Sequence, residues 1–208
     1  MASIDAITLE VQDVPSARRF YAECGLDTRI ELWASDAPTS GFRGFTLSLT
    51  APQPADINRL MDAASAAGAM VLKPAEKSLW GYGGAVQAPD GTIWTFASST
   101  KKDIGPATGE IESFVLLLGV ADVRASKQFY VDRGLAVARS FGGKYAEFDM
   151  PDSPVTLALN GRRALAKNAG VSAEGEGSHR LVVTGDPGPC TDPDGFIWEA
   201  SGGADTTA

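Results

Sequence analysis

Cysteine is scarce in this chain of 208 residues, and features typical of exported or membrane proteins are missing. The two cysteines, Cys24 and Cys190, are too few for a disulfide framework and indicate free thiols in a reducing compartment. No apolar run approaches the ~18 residues that a membrane span needs. The first residues lack a basic segment followed by a long apolar stretch, so no signal peptide is predicted and a cytoplasmic location is expected.

Positive charge is also in deficit. The chain has 18 lysine and arginine residues against 26 acidic ones, which gives a formal net charge of −8. Because nucleic acid and anionic membrane surfaces would be repelled, neither is expected as a partner. The 44% apolar and 21% charged residues are ordinary for a globular protein, so the composition predicts a folded chain.

Two motifs occur twice along the chain at nearly the same spacing. The first begins with Asp-Val and ends with Phe-Tyr, at residues 13–21 and 122–130, and each copy follows an apolar run. The second is Pro-Asp-Gly-x-x-Trp, at residues 89–94 and 193–198. Such a repeat predicts two homologous units of about 100 residues each.

The boundaries of these units follow from composition and periodicity. Residues 1–98 form the first predicted unit, residues 99–109 a polar linker, and residues 110–203 the second unit. In each unit an alternating strand leads into a helix capped by aspartate, and further strands follow. The linker is the expected site of first protease cleavage.

The repeated pattern of strand, Asp-Val, helix ending in Phe-Tyr and then Gly-Leu resembles the vicinal oxygen chelate superfamily. This superfamily contains glyoxalase I, bleomycin-resistance proteins and extradiol dioxygenases, and residues 192–199 resemble its last strand. The resemblance implies an α+β fold of tandem βαβββ modules, whose curled mixed sheets form open cups suited to small molecules. It implies no single activity, because the fold hosts several enzyme classes and non-catalytic drug binders.

Members of the superfamily generally hold a divalent ion with about three side-chain donors. The usual first position of that set is Ala6 in the first unit and Val115 in the second, and neither side chain can coordinate. The usual last position is Thr95 in the first unit, so the cup of that unit is expected to lack both. In the second unit the last position is Glu199.

The second unit leaves a metal site open as an alternative. His179, the only histidine, lies at the start of a predicted strand, and Glu199 lies near the end of the chain. These two residues with one further donor, Glu147 or Asp149, would form a site for one divalent ion. The preferred interpretation is that no metal or other cofactor is bound, and that His179 and Glu199 hydrogen-bond to each other or to the backbone.

Ligand contacts are predicted for exposed aromatic residues and for the histidine, namely Trp33, Trp80, Tyr82 and His179. The predicted function is metal-free binding of a small molecule, of the bleomycin-resistance type, which sequesters a drug or metabolite and would confer antibiotic resistance. The alternatives are a metal-dependent lyase or dioxygenase that uses the second unit, and a regulatory protein without a small ligand. The chain is expected to be a monomer with an internal pseudo-dimer or a homodimer.

Overall fold

The computed structural model describes residues 2–79 and 81–201, and its mixture of helices and strands confirms the predicted α+β class. Trp80 lies outside the described residues. The helices are α1 (Val14–Glu23), α2 (Pro54–Ala66), α3 (Val123–Val131) and α4 (Arg162–Ala169). The strands are β1 (Ile4–Val11), β2 (Glu31–Ala34), β3 (Thr39–Gly41), β4 (Phe45–Thr50), β5 (Met70–Lys77), β6 (Tyr82–Gln87), β7 (Ile93–Ser98), β8 (Ser113–Val120), β9 (Val137–Ser140), β10 (Tyr145–Phe148), β11 (Thr156–Gly161), β12 (Gly175–Gly177), β13 (Leu181–Gly185), β14 (Cys190–Thr191) and β15 (Ile197–Glu199).

Strands of both predicted units share each of the two larger sheets. The five-stranded sheet has the order β14-β15-β13-β1-β2, and the eight-stranded sheet has the order β5-β6-β7-β4-β8-β11-β10-β9. A small third sheet pairs β12 with β3. Each sheet therefore needs chain from both repeats, and the division at residues 99–109 stays a prediction about sequence units.

Two complete βαβββ modules form the eight-stranded sheet. One is β4-α2-β5-β6-β7 and the other is β8-α3-β9-β10-β11, and they meet through the antiparallel pair β4 and β8. The five-stranded sheet is a reduced version of the same arrangement. Its β14 has two residues, and no helix separates β13 from β14.

The two repeated motifs contact each other. The Tyr21 hydroxyl on α1 donates to the carboxylate of Asp90 at 2.7 Å, and the Tyr130 hydroxyl on α3 donates at 2.8 Å to Asp192, the residue just before the second Pro-Asp-Gly motif. The Tyr21 ring packs 5.9 Å from that of Trp94, and the Tyr130 ring packs 5.6 Å from that of Trp198, measured between centroids.

These contacts connect the two large sheets. Helix α1 follows β1 of the five-stranded sheet, but its tyrosine contacts the turn before β7 of the eight-stranded sheet. Helix α3 follows β8 of the eight-stranded sheet and contacts the turn before β15 of the five-stranded sheet. The apolar faces of both helices join one main core with both sheets, so the repeated motifs hold the two sheets together.

The linker between the repeats is exposed but fixed to the start of α2. The side-chain oxygen of Gln53 accepts from the amides of Ile104 and Gly105 at 2.7 and 3.1 Å. The buried carboxylate of Asp56 accepts from the amides of Thr108 and Gly109 at 2.6 and 2.7 Å. Burial by itself would raise the pKa of Asp56, but the bonds from Gly109, Gln53 and Thr108 lower it below its ordinary value.

We predict that Asp56→Asn weakens this attachment, so that protease cleaves the linker several-fold faster at neutral pH. The reason is that an amide is a weaker acceptor than a carboxylate for two backbone N–H groups. Limited proteolysis followed by mass spectrometry measures the rate and the cleavage site. Asp62→Asn, an exposed change on the same helix, is the control and should cleave like the unmodified chain. Equal rates for the two variants would show that Asp56 does not restrain the linker.

The lowered pKa of Asp56 also predicts a pH dependence. Because the carboxylate is favoured in the folded state, its contribution to the free energy of unfolding is complete above the unfolded value of about 3.9 and is lost as the pH falls through the lower folded value. Denaturant unfolding of the unmodified chain and of Asp56→Asn should therefore differ at pH 7 and converge on acidification. A difference that grows on acidification would contradict this assignment.

The tyrosine bridges predict unequal mutational costs. Tyr130 donates to Asp192 and also accepts from the indole N–H of Trp198 at 3.1 Å, whereas the indole N–H of Trp94 makes only a weaker contact with the Tyr21 hydroxyl, outside regular hydrogen-bond geometry. Tyr21→Phe loses one hydrogen bond to a charged group and should cost about 1.5 kcal/mol, whereas Tyr130→Phe leaves two buried groups unsatisfied and should cost about 3 kcal/mol. Denaturant unfolding at pH 7 measures both values, and an equal loss would contradict the two-partner role of Tyr130.

Candidate functional site

The positions that the resemblance assigns to a metal lie in the middle of the two large sheets. In the eight-stranded sheet, Ser48 pairs with Thr95 on one side and with Val115 on the other, and Val115 pairs with Thr156. Directly paired residues share a face of a sheet, so these four side chains form one row. The equivalent row of the five-stranded sheet consists of Ala6, Thr184 and Glu199.

This grouping corrects one expectation from the sequence. Ala6 and Thr95 were expected in one cup, and Val115 and Glu199 in the other. The structure instead puts Ala6 and Glu199 in one row, and Thr95 and Val115 in the other. The physical reason is that each repeat contributes strands to both large sheets, so two residues of one repeat can lie in different sheets.

The donor set of neither row fits a divalent ion. The row of Ser48 has no carboxylate, imidazole or thiolate, and the row of Ala6 has one carboxylate, that of the exposed Glu199. A divalent ion in a protein needs about three such donors. Among residues 2–79 and 81–201, no three His, Cys, Asp or Glu side chains lie close enough together to hold an ion.

His179 uses both ring nitrogens within the protein. Its Nδ1 lies 2.5 Å from the carbonyl oxygen of Arg43, and its Nε2 lies 3.0 Å from that of Asp194. The ring also stacks on the buried ring of Phe196, with centroids 4.0 Å apart. Both ring nitrogens therefore face backbone carbonyl oxygens at close range, which leaves neither of them accessible to a metal ion. No hydrogen bond joins His179 to Glu199 in the described part of the chain.

The repeat explains this arrangement of His179. Arg43 precedes β4 as His179 precedes β13, and the Nη2 of Arg43 donates to the carbonyl of Asp90 at 2.5 Å. Asp90 and Asp194 are equivalent residues of the two Pro-Asp-Gly turns, so the two side chains occupy corresponding positions and hold corresponding turns. We therefore interpret His179 as a structural residue.

Gly44, which follows Arg43, corresponds to Arg180, which follows His179. The backbone at Arg180 is strained. The carbonyl of Gly44 accepts from the amide of Gly119 at 2.7 Å, and the carbonyl of Arg180 accepts from that of Glu10 at 3.1 Å. Gly44 has φ 88°, which suits glycine, whereas Arg180 has φ 51°. Arg180 is the only residue other than glycine with positive φ in the described part of the chain. Side chains larger than hydrogen disfavour this conformation, so the fold holds Arg180 there against its local preference.

Arg180 is buried without an acidic partner. It is 4% exposed, and its guanidinium donates to the carbonyl oxygens of Ser35 and Ala37 at 2.5 to 3.0 Å. In the described residues the sole ion pair joins Arg139 to Glu147, far from Arg180 in sequence. The hydrogen-bond partners of the charged Arg180 side chain are therefore neutral carbonyl groups.

A cavity of about 280 Å³ lies beside Arg180, where α1, the loop before β4 and the turn before β7 meet. We call it the sheet-junction cavity, and its lining includes Asp13, Phe20, Thr39, Arg43, Asp90 and Arg180. The Nη1 of Arg43 and the Oγ1 of Thr39 are buried and have no hydrogen-bond partner among the described residues. Burial lowers the pKa of Arg43, Asp90 opposes this shift, and Arg180 lowers the pKa further.

Helix α4 covers part of one face of the eight-stranded sheet, which reduces the open space there. Helix α4 lies on the face that carries the row of Ser48, where Leu165, Ala166 and Ala169 pack against Phe42 and Ile93. The sheet-junction cavity lies away from α4, at the boundary between the two sheets.

The aromatic residues expected at a ligand lie apart. Trp33 is in β2 of the five-stranded sheet, is 45% exposed, and lines a cavity of about 390 Å³. Tyr82 is in β6 of the eight-stranded sheet, lines a different cavity of about 420 Å³, and donates to Asn58 at 2.7 Å. Trp33, Tyr82 and His179 thus do not form one site, and a ligand role for each stays a prediction.

The two cysteines have protonated, unpaired thiols. Cys24 is partly buried against the main core, and burial, with help from Glu23, raises the pKa of its thiol to about 11. Burial also raises the pKa of the Cys190 thiol, although Arg133 acts in the opposite direction. A raised pKa means little thiolate at neutral pH, so neither thiol is an activated nucleophile.

Sequence reasoning missed Arg43, Arg180 and Thr39. The sequence did contain one indication of Arg43. When the two repeats are aligned on their Pro-Asp-Gly turns and the strands paired with them, Arg43 takes the position of His179. No periodicity in the sequence predicts the burial of Arg180 or its positive φ.

The paired βαβββ modules, the linked sheets and the two Pro-Asp-Gly turns define the fold of the vicinal oxygen chelate superfamily, as the sequence predicted. Glyoxalase I from Zea mays has a similar structure, with a TM-score of 0.61 at 16% identity over 96% of this chain and 92% of that chain. A proposed dioxygenase from Bacillus subtilis has a TM-score of 0.55 at 11% identity over 88% of this chain and 69% of that chain. No family model and no curated protein matches the sequence.

The strain at Arg180 predicts a difference between two variants. Arg180→Ala and Arg180→Gly both lose the guanidinium and its hydrogen bonds, but only glycine relieves the positive φ. Arg180→Gly should therefore be more stable than Arg180→Ala by about 1 kcal/mol. Denaturant unfolding measures the difference, and the same comparison at the exposed, regular helix position Arg19 should favour alanine. Equal stability of the Arg180 pair would show that the backbone is not strained.

Proposed function

We propose that this protein binds a small molecule without a metal ion, in the sheet-junction cavity. The observation that carries the proposal is the pair of central rows, which together offer one carboxylate where a metal needs about three donors. A scaffold with a pocket and no chelating set is suited to binding.

The sheet-junction cavity has the mixture of walls that a small ligand needs. Ala17 and Phe20 of α1 provide apolar surface, while Thr39 and Arg43 supply polar atoms without partners in the described part of the chain. Polar groups in a pocket fix the orientation of a ligand, and the wall of this cavity is more polar than apolar, which suits a small polar ligand. The fixed position of α1, held by Tyr21 and Asp90, favours a cavity that is formed before binding.

The finer proposal is sequestration of a drug or metabolite, as in bleomycin-resistance proteins. Two observations support it: the pKa values of both thiols are raised, and His179 has a structural role. These residues therefore provide no evident nucleophile or base. None of the helices in the described residues is long and apolar enough to cross a membrane. We propose a cytoplasmic location, because both cysteines are free thiols and free thiols are typical of a reducing compartment. Pairing of both repeats within each large sheet supports the monomer with an internal pseudo-dimer over the homodimer.

The decisive experiment combines metal analysis with ligand screening. Protein purified without chelators should contain far less than one equivalent of zinc, iron, manganese or nickel by mass spectrometry. A thermal-shift screen of small organic fragments should give the same hits with and without EDTA.

The opposite result has a clear form. One equivalent of metal, reduced in Glu199→Gln, would overturn the proposal and favour the metal-dependent lyase or dioxygenase. Glu199 is exposed, so this change should leave folding intact. Thr95→Ser is the matched control, because it changes the equivalent position of the other sheet without adding or removing a carboxylate.

A further inference from the structure

We infer that the ligand of the sheet-junction cavity carries a carboxylate, which Arg43 and Thr39 bind with Arg180 close by. This inference rests on the proposed small-molecule binding and specifies the chemical class of the ligand.

Two residues that line the cavity, Arg43 and Thr39, each have a buried hydrogen-bond donor without an acceptor among the described residues. Arg43 uses Nη2 on the carbonyl of Asp90, while its Nη1 has no partner in the described residues. The Oγ1 of Thr39 also has none. Buried polar groups are almost always satisfied, so two such atoms on one cavity point to a missing acceptor. A carboxylate has two acceptor oxygens and suits a guanidinium beside a hydroxyl.

The two arginines of the cavity wall favour an anion beside them. Arg43 and Arg180 are close enough for Arg180 to lower the pKa of Arg43, and neither arginine forms an ion pair in the described part of the chain. Arg180 is almost completely buried, and its partners Ser35 and Ala37 contribute neutral carbonyl groups. An anion between the two arginines would remove their mutual repulsion.

The two aspartates of the cavity limit how much negative charge it accepts. Asp90 accepts from the Tyr21 hydroxyl at 2.7 Å and from the Thr92 amide at 2.8 Å, and Asp13 accepts from the Ser16 amide at 2.9 Å. They therefore do not occupy the free donors of Arg43, but their charges oppose a dianion. This arrangement favours a monocarboxylate over phosphate.

The size of the cavity sets the size of the acid. An apolar cavity of about 150 Å³ is enough for benzene. The sheet-junction cavity of about 280 Å³ therefore holds one aromatic ring or a short aliphatic chain beside its carboxylate. Phe20 provides an aromatic surface for that part of the ligand.

Isothermal titration calorimetry with three probes tests this inference on the full chain. Sodium benzoate should bind, while benzamide, its neutral isostere, and inorganic phosphate should each bind at least tenfold more weakly. Arg43→Gln should weaken benzoate binding at least tenfold, because it removes the charge and the Nη1 donor. Thr39→Val, which keeps the size of the side chain, should weaken it several-fold.

Arg19→Gln is the matched control, since Arg19 is exposed on α1 and does not line the cavity, and it should bind benzoate like the unmodified chain. The amide NMR spectrum of each variant checks that it is folded, and Thr39→Val decides the question if Arg43→Gln is not.

The possible failures differ in what they overturn. If benzamide or phosphate binds as well as benzoate, or if Arg43→Gln and Thr39→Val bind benzoate normally, the cavity is not a carboxylate site, and metal-free binding stands on its own test. Absence of benzoate binding at millimolar concentration also overturns the carboxylate inference. The proposed function fails separately, on stoichiometric metal in the chelator-free protein.

Discussion

The contact between a helix tyrosine and the aspartate of a turn is the interaction on which the architecture depends. Tyr21 reaches Asp90, and Tyr130 reaches Asp192, in each case from a helix that follows one large sheet to a turn of the other. A hydrogen bond to a charged group contributes about 1.5 to 3 kcal/mol, and each buried ring adds a comparable hydrophobic contribution. Burial is the largest cause of the raised pKa of both hydroxyls, and the facing aspartates raise it further, so both phenols donate as neutral groups at physiological pH.

This crossing of helices between sheets determines where a site can form. The turn that Tyr21 holds lies beside the start of α1 and the loop before β4, and these elements enclose the sheet-junction cavity. In the other repeat His179 replaces Arg43 at the turn and stacks on Phe196, so an aromatic ring takes the place of a guanidinium. The same fold thus has a charged residue at one turn and a packed ring at the other. The two repeats thus keep a side chain that holds the Pro-Asp-Gly turn, but the chemical nature of that side chain differs between them.

Much of the fold was predictable, because the repeated motifs carry their own physical reasons. Asp13 and Asp122 cap their helices as expected, since the side chain of each accepts from an amide in the first turn. The placement of Ala6 and Glu199 in one row, on either side of Thr184, was not predictable, because strand exchange between sheets depends on contacts between residues far apart in sequence.

The candidate site shows the same division. The residues at three of the four positions, Ala6, Thr95 and Val115, already indicated that a metal would lack ligands, since the identity of a side chain decides whether it can coordinate. The tertiary structure alone decided that His179 is occupied by two carbonyl groups and that Arg180 is buried in a strained conformation beside Arg43. The physical reason is that identity and periodicity are local properties, whereas burial, charge compensation and the orientation of a lone pair depend on what the rest of the chain brings alongside.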